Sequence, residues 1–305
     1  MKKIIVTTTI NPPTRAVELF QAMPDWELVV VGDLKTPAPY RLQRGTYLAP
    51  DDQQRYDRAL SDAIGWNCIM RRNFGILAAH DMGADVVALV DDDNTPYDHW
   101  GTNLMVGREV EVTWYETELP TFDPLGATNH PQLWHRGFPL QLIAHRNYKS
   151  KHIRRVHVDF QADLWDGDPD IDAICRMEHA PDCKFDPAGF PIAANKPSPV
   201  NSQNTFLLGA MLRDYFLYPH VGRMDDIWAG YYAQSIGHRV AYGRASVRQE
   251  RNPHDPVKDM RAEYLGYENN LRLVTQLAAD SQSIRRFLPQ RSIEAWELYR
   301  RHFCA

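Results

Sequence analysis

The amino-acid sequence predicts an α/β protein with a mixed, mostly parallel central sheet and helices on both faces. The β-branched run Ile4–Thr9 and the apolar run Val86–Val90 have the length and composition of buried strands. Helix-forming stretches separate these runs from a third strand, Trp26–Val31. Because strands that alternate with helices pair in parallel through right-handed crossovers, this order predicts a parallel sheet in the first hundred residues.

The helices are predicted from their boundaries. Asn11–Thr14 is typical of a turn that leads into a helix, and Gly83 is placed as a glycine that closes one. Asp255 and Pro256 form a favourable cap and first position for another. We predict helices at 15–23, 53–64, 72–82, 225–236, from 256 through at least 277, and at 293–303. Further strands are predicted at 110–115, 156–160 and 204–208, with loops at 117–140 and 186–202.

Composition excludes several classes of function. The 305-residue chain carries a net charge of −5 with no dominant basic stripe, so we expect no nucleic-acid partner. No stretch approaches the roughly 20 apolar residues of a membrane span, and the N-terminal apolar run is too short for a signal peptide. We therefore expect a cytoplasmic protein, and a homo-oligomer is compatible with the sequence. The sequence contains neither dinucleotide-binding nor P-loop glycine motifs.

Three consecutive aspartates, Asp91, Asp92 and Asp93, follow the strand Val86–Val90. Successive strand side chains point to opposite faces, so Asp91 and Asp93 share a side that Asp92 opposes. Carboxylate oxygens of this kind hold Mg²⁺ or Mn²⁺, and these ions usually complete their shell with substrate phosphates. In open α/β sheets, ligands bind beyond the carboxyl ends of the strands. The triplet therefore indicates a metal–diphosphate site, and a solvated acidic turn is the alternative.

Other side chains are predicted at the same edge. Arg72 begins the helix before the triplet, where amide donors and positive charge suit a diphosphate, unless it is simply a solvated arginine. Asp33 closes the second strand, and it is either a partner for a base or ribose or an ordinary turn aspartate. Thr8 and Ile10, at the end of the first strand, would line the same crevice.

The segment 166–172 has four acids in seven residues. Such acids repel one another unless they are solvated, metal-bound or hydrogen-bonded. Asp170 and Asp172 are therefore candidates for contacts to sugar hydroxyls or near the metal. In the structural alternative, Asp168 or Asp170 caps a helix that runs through Cys175.

Asp225 and Asp226 lie together at a predicted helix start, where acids complement the helix dipole. Either one is also a candidate for the base or ligand of an acceptor hydroxyl. Farther on, His254 is a candidate to complete a metal shell, and Arg251 is a candidate to hold phosphate.

An ordered set of motifs carries a resemblance to a known group. The motifs are VVVGDLKTP, RRNFGI, DDDN, WHRGFPL, LWDGDPDIDA, NTFLLG, GRMDDIWAG and RNPHDPVKD. The chain resembles the reversibly glycosylated polypeptides, which include the UDP-arabinopyranose mutases, and the related STELLO glycosyltransferases, over most of residues 3–267. The resemblance implies a GT-A-type, Rossmann-like nucleotide-sugar fold with Asp91–Asp93 as the metal and UDP-sugar motif. It also matches Arg136 to an arginine that becomes glycosylated in the mutases.

We therefore expect a metal-dependent glycosyltransferase that moves a sugar from a nucleotide-diphosphate donor, with UDP as the nucleotide, to a carbohydrate or glycoconjugate acceptor. Mn²⁺ or Mg²⁺ would bind Asp91, Asp93 and His254. The expected catalytic domain is 1–254, with a nucleotide-sugar half at about 1–105 and an acceptor half at about 106–254. A helical extension, 255–305, would pack on it. The alternatives are a self-glycosylating UDP-sugar mutase that uses Arg136, and a non-catalytic nucleotide-sugar-binding protein.

Overall fold

The structure is a computed structural model and describes residues 1–250 and 255–304. Its centre is a sheet of eleven strands in the order β3-β2-β1-β4-β10-β8-β11-β9-β6-β7, and β5 pairs with β11 off this path. The strands are β1 Lys3–Thr9, β2 Glu27–Gly32, β3 Thr46–Leu48, β4 Val86–Val90, β5 Asn94–Pro96, β6 Arg108–Tyr115, β7 Lys151–Val158, β8 Phe160–Gly167, β9 Ile192–Ala194, β10 Asn204–Leu208 and β11 Val240–Gln249.

Eight α-helices are described: α1 Arg15–Gln21, α2 Pro50–Tyr56, α3 Arg58–Ile64, α4 Arg72–Asp81, α5 Ala173–His179, α6 Asp225–Ser235, α7 Pro256–Ala279 and α8 Gln290–Arg301. Shorter 3₁₀ turns cover Ile69–Arg71, Leu125–Ala127, Leu140–His145, Gly209–Asp214, Gly222–Met224 and Ser281–Arg286. None of the helices in the described parts of the chain combines the length and apolar character that a bilayer crossing needs.

The strand directions confirm the predicted mixed, mostly parallel sheet. Strands β1 to β4 are parallel, β8 and β11 run in the same direction, and β10 is inserted antiparallel between β4 and β8. Only β5, β6, β9 and β10 run against the others among the described strands. The carboxyl ends of β1, β2, β4, β8 and β11 therefore meet at one edge.

Helix α4 packs closely on one face of this sheet. A Cβ added to Gly75 would lie 2.4 Å from Cγ1 of Val6 and 2.9 Å from Cγ2 of Val31, so only glycine allows this approach. Ile5 precedes Val6 in β1, so its side chain points to the opposite face of the sheet.

Helix α1 lies on that opposite face. Phe206 of β10 pairs with Ala88, which pairs with Ile5, so these residues share a face. Trp100 contacts Phe206 there at a centroid distance of 5.1 Å, and it contacts Phe20 of α1 at 5.0 Å. The prediction of helices on both faces is thus confirmed.

Several strand assignments differ from the sequence prediction, among them two at the centre of the sheet. Strand β11 was not predicted, because polar residues and Gly243 interrupt its apolar pattern. It is nevertheless a central strand, hydrogen-bonded to β8 along most of its length. The predicted strand at 156–160 is also wrong in its bounds, because β7 ends at Val158 and β8 begins at Phe160 and runs, buried throughout, to Gly167. Each of the two central strands, β8 and β11, is buried because it pairs with the other, and this pairing cannot be predicted from the local sequence.

The C-terminal helices contact distant parts of the chain. Asp255 caps α7 as predicted, because its carboxylate accepts from the N–H groups of Val257 and Lys258. Helix α7 packs against α5 and the turn Gly222–Met224, and α8 packs against α3. Through α7, the extension reaches the segment that carries Asp225 and Asp226.

Candidate active site

A crevice at the carboxyl ends of the strands consists of two adjoining cavities. The first, of about 360 Å³, lies beyond β1 and β2, and we call it the β1 cavity. The second, of about 430 Å³, is bounded by the start of α6, and we call it the α6 cavity. Cys68, Ile69, Asp91 and Asp93 line both cavities, so they mark the junction.

The prediction that Asp92 opposes Asp91 and Asp93 was wrong, because the triplet lies in a turn beyond β4 and all three residues line the β1 cavity. Asp91 and Asp93 line both cavities, whereas Asp92 lines only the β1 cavity. The Asp92 carboxylate accepts hydrogen bonds from the Thr9 hydroxyl and from Nδ2 of Asn11, the latter at 3.2 Å. Burial raises the pKa of Asp92 from its usual value. Asp92 is therefore hydrogen-bonded within the wall of the β1 cavity, and Asp91 and Asp93 lie where the two cavities join.

Arg72 lies behind the triplet. Its buried guanidinium donates from Nη2 to Oδ1 of Asp91 at 2.6 Å, and from Nη1 to the Ser202 carbonyl oxygen at 2.6 Å. It is absent from the described lining of both cavities. The structure thus connects Arg72 to the site through Asp91 rather than through the cavity wall.

Arg71 is the arginine that lines the β1 cavity. Its guanidinium stacks 3.7 Å from the Trp66 ring centroid and donates from Nε to Oε1 of Gln53 at 2.7 Å. No carboxylate lies within ion-pair distance of it among the described residues, and burial lowers its pKa to about 10. The sequence predicted Arg72 at this edge, but Arg71 is the arginine that lines the cavity. Both residues lie at the start of the same helix, so the sequence alone did not separate them.

The other residues predicted for this edge also line the β1 cavity: Thr8, Ile10 and Asp33. The Asp33 carboxylate accepts from the N–H groups of Leu34, Asn67 and Cys68 at 2.6, 2.9 and 3.0 Å. These bonds hold the loop after α3 over the end of β2. Asp33 therefore shapes the wall and also faces the cavity.

Arg136 is buried at the wall of the α6 cavity between two carboxylates. It donates from Nε and Nη2 to Asp170 at 2.9 and 2.8 Å, and from Nη1 and Nη2 to Asp226 at 3.1 and 3.2 Å. Its Nη1 also donates to the Arg223 carbonyl oxygen. Burial alone would lower the pKa of Arg136, but the two carboxylates hold it well above its usual value.

Asp225 and Asp226 differ although they are neighbours. Asp226 is bound by Arg136 and by the Ser202 N–H, the latter at 2.9 Å. Asp225 is 4% exposed and lines the α6 cavity, and its Oδ2 has no hydrogen-bond partner within the described ranges. Burial, followed by the charge of Asp226, raises the pKa of Asp225 to about 7. A cavity-lining carboxylate with this pKa can exchange a proton near neutral pH.

Asp170 and Asp172 have separate roles. Asp170 lines the α6 cavity and, besides Arg136, accepts from Nδ2 of Asn201 at 2.8 Å. Asp172 caps α5, because Oδ1 accepts from the Cys175 N–H at 2.9 Å and Oδ2 from the Trp134 indole at 2.6 Å. The predicted cap by Asp168 or Asp170 was therefore wrong by two residues or more. Burial raises the pKa of Asp172 to about 7.

Glu263 of α7 is a member of this network that sequence reasoning missed. Its buried carboxylate accepts from Nε of Arg223 at 2.8 Å, from the Ala173 N–H at 2.8 Å and from the Tyr267 hydroxyl at 2.6 Å. The available signal was an acid on the apolar face of the helix, three residues after Met260. Arg251 and His254, the remaining predicted residues, lie outside the described residues.

The junction suits a divalent cation only in part. No group of three His, Cys, Asp or Glu side chains in residues 1–250 and 255–304 is arranged to hold a metal ion. Asp91 and Asp93 nevertheless offer hard oxygen ligands, and Mg²⁺ is commonly held by one or two carboxylates with substrate phosphates and water. The described residues thus fit an ion that a bound diphosphate helps to hold.

Sequence comparison finds two curated relatives from Arabidopsis thaliana, and no family model matches the chain. The chain is 23% identical over 283 residues to the protein named probable glycosyltransferase STELLO2, which covers 85% of this chain and 37% of that protein. It is 23% identical over 255 residues to probable glycosyltransferase STELLO1, which covers 77% and 33%. The chain therefore spans about a third of the length of these relatives.

Two solved structures are similar at a lower level. A mycobacterial protein has a TM-score of 0.44 and 12% identity, covering 95% of this chain and 76% of that one. Glucosyl-3-phosphoglycerate synthase from Mycobacterium tuberculosis has a TM-score of 0.42 and 11% identity, covering 95% and 81%. Both scores are too low to support an argument. The sequence match over most of the chain confirms that its motifs resemble those of the STELLO glycosyltransferases.

Proposed function

We propose that this protein is a metal-dependent glycosyltransferase with a GT-A-type site, which transfers a sugar from a nucleotide-diphosphate donor to a hydroxyl of a carbohydrate or glycoconjugate. UDP is the proposed nucleotide. One observation carries the proposal: the paired carboxylates Asp91 and Asp93 lie where two cavities join, and the buried carboxylate of Asp225 faces one of them. A donor and an acceptor would meet at that junction.

The β1 cavity is the proposed donor side. Thr8, Ile10 and Asp33 would contact the base and ribose, as parallel strand ends do in nucleotide-binding sheets. Its described lining holds the carboxylates of Asp33 and Asp91–Asp93 but only one cation, Arg71. A diphosphate would be repelled by this wall unless a cation accompanied it.

This charge balance supports the proposed need for Mn²⁺ or Mg²⁺. When bound at Asp91 and Asp93, such an ion would neutralise the charge that develops on the leaving diphosphate. Arg72 would support the site by fixing the position of Asp91, and Arg71 would add a buried positive charge beside the donor. His254 and Arg251 stay predictions for this side.

The α6 cavity is the proposed acceptor side. Asp225 would take the proton of the acceptor hydroxyl as the oxygen attacks the donor sugar, because its pKa of about 7 suits a base. Arg136 would position Asp225 by binding Asp226 and the Arg223 carbonyl oxygen on either side of it. Glu263 would extend this support into the C-terminal helices, which we propose pack on a catalytic domain of residues 1–254.

The mutase alternative has less support from this geometry. A glycosylated arginine must offer a guanidinium nitrogen as a nucleophile, and a protonated guanidinium has no free lone pair. The Nε, Nη1 and Nη2 atoms of Arg136 all donate hydrogen bonds, and its two carboxylate partners hold it protonated. We therefore assign Arg136 a positioning role.

A thermal-shift screen of nucleotide sugars with and without Mn²⁺ tests the donor site. A ligand at a hundred times its Kd stabilises the folded state by about 2.7 kcal/mol, and we expect this stabilisation to require the metal. Asp93→Asn should abolish both the shift and metal-dependent release of UDP. The exposed Asp98, which is absent from both described linings, supplies the control variant Asp98→Asn. Full turnover in Asp93→Asn would contradict the proposal.

A further inference from the structure

We infer that the acceptor is an uncharged hydroxyl compound, such as an unphosphorylated sugar, and that the α6 cavity rejects acceptors bearing a phosphate or carboxylate near the reacting hydroxyl. This inference rests on the proposed glycosyl transfer and names the acceptor class for the same crevice. Its basis is the charge on the cavity wall and one buried carboxylate oxygen without a partner.

The described lining of the α6 cavity is strongly acidic. Five carboxylates face two guanidinium groups, namely Asp91, Asp93, Asp170, Asp225 and Asp226 against Arg136 and Arg223. The positive charge of the metal ion proposed at Asp91 and Asp93 would be balanced by the negative charge of the donor diphosphate. Among the described residues, the remaining wall, where the acceptor would lie, has three carboxylates, Asp170, Asp225 and Asp226, and two guanidinium groups.

Both guanidinium groups are committed to carboxylates. Arg136 bridges Asp170 and Asp226, as described above. Arg223 donates from Nε to Glu263 at 2.8 Å and lies 3.6 Å from Asp259 through Nη1. Within residues 1–250 and 255–304, the cavity therefore offers no uncommitted cation to an anionic acceptor.

The unpartnered oxygen is Oδ2 of Asp225, whose side chain is almost fully buried. A buried polar atom without a hydrogen bond is costly, so a ligand that satisfies it gains affinity. An acceptor hydroxyl can donate to this oxygen. A phosphate or carboxylate cannot, and it would add like charge in a poorly solvated site.

Neutral polar groups complete the same wall. The side-chain amides of Gln203 and Gln249 line the cavity and hydrogen-bond to each other. Amides can donate to and accept from sugar hydroxyls without imposing a charge. The wall therefore combines an oxygen that needs a donor with neutral groups that suit hydroxyls.

Matched acceptors test the inference in the full chain with a UDP-sugar donor and Mn²⁺. Each neutral monosaccharide is compared with its 6-phosphate and its uronic acid, and kcat/KM for the acceptor is measured. We expect the charged members to be worse by at least about tenfold, because like charges at close range repel strongly. Charged members that equal or exceed their neutral partners would overturn the inference.

Acceptor-side binding provides a second measurement. In the presence of UDP and Mn²⁺, neutral sugars should raise the melting temperature and their phosphates should not. Neutral sugars that give neither turnover nor stabilisation would also count against the inference. Loss of the UDP- and Mn²⁺-dependent shift itself would instead defeat the proposed function, so the two failures are distinguishable.

A charge variant tests the cause. Ala262 of α7 lines the α6 cavity, and its methyl side chain takes no part in the ion network. Ala262→Lys should improve kcat/KM for phosphorylated acceptors by about tenfold, whereas the neutral Ala262→Gln, of similar length, should not. Equal effects of the two variants would overturn the electrostatic explanation, and melting curves establish that both fold.

Discussion

The two cavities of the crevice are held in shape by different kinds of interaction. The β1 cavity is formed by strand ends and short loops, and the carboxylates of Asp33 and Asp92 are held there by neutral donors, the Asn67 N–H and the Thr9 hydroxyl. The α6 cavity is formed by an ion network in which Arg136 joins residues 34 and 90 positions away in the chain. One side is thus held by neutral hydrogen-bond donors, and the other by buried charge pairs. We therefore expect variants on the two sides to fail in different ways.

The largest expected effect is on catalysis from the α6 side. Asp225→Asn keeps the shape of the side chain but removes the proposed base, so kcat should fall by about 10²–10⁴-fold. The stabilisation by UDP and Mn²⁺ should stay as in the wild type, because the donor binds on the other side. Steady-state kinetics and thermal shift measure the two quantities. A loss below about tenfold would remove Asp225 from the role of base.

The next effect compares two buried arginines by their partners. Arg136→Met leaves two buried carboxylates without their cation, so the free energy of unfolding should fall by about 3–5 kcal/mol. Arg71→Met breaks hydrogen bonds to neutral groups only, and we expect a loss of about 1–3 kcal/mol. Urea unfolding of both variants measures the difference. An equal loss would show that the buried charge pairs of Arg136 stabilise the fold no more than the neutral hydrogen bonds of Arg71.

A smaller effect is expected from the C-terminal helix. Glu263→Gln keeps the volume but removes the charge that Arg223 binds, and it should lower the free energy of unfolding by about 1–3 kcal/mol. Acceptor kcat/KM should fall while the donor KM is unchanged, because Glu263 supports the α6 side only. The exposed Glu268 on the same helix gives the control Glu268→Gln. A change in donor KM would show that the two sides are coupled through α7.

The smallest effect is a pH dependence of the wild type. Asp225 can accept a proton only when ionised, so kcat should rise by about tenfold between roughly pH 6 and pH 8. The raised pKa has the opposite consequence for stability. The folded state holds this proton more tightly than the unfolded state, so the contribution of Asp225 to stability is lost as pH rises from about 4 towards 7. A flat rate profile, or one unchanged in Asp225→Asn, would contradict the assignment.

Sequence reasoning succeeded where the signal was local. Val86–Val90 and the cap at Asp255 were placed correctly, because strand length and capping chemistry are properties of neighbouring residues. The position of Asp91–Asp93 beside the ends of β1 and β2 was also predicted, because the carboxyl ends of parallel strands share an edge where ligands bind. Asp33, Thr8 and Ile10 were placed at one edge by the same logic, because parallel strands end together.

Only the tertiary structure decided which charged groups meet. The sequence contains Arg71 and Arg72 side by side, yet burial pairs Arg72 with Asp91 and leaves Arg71 on the cavity wall. Strand β11 and the buried Glu263 acquire their roles from partners far along the chain. The physical reason is that capping and periodicity act over a few residues, whereas ion pairing and burial depend on segments that the completed fold brings into contact.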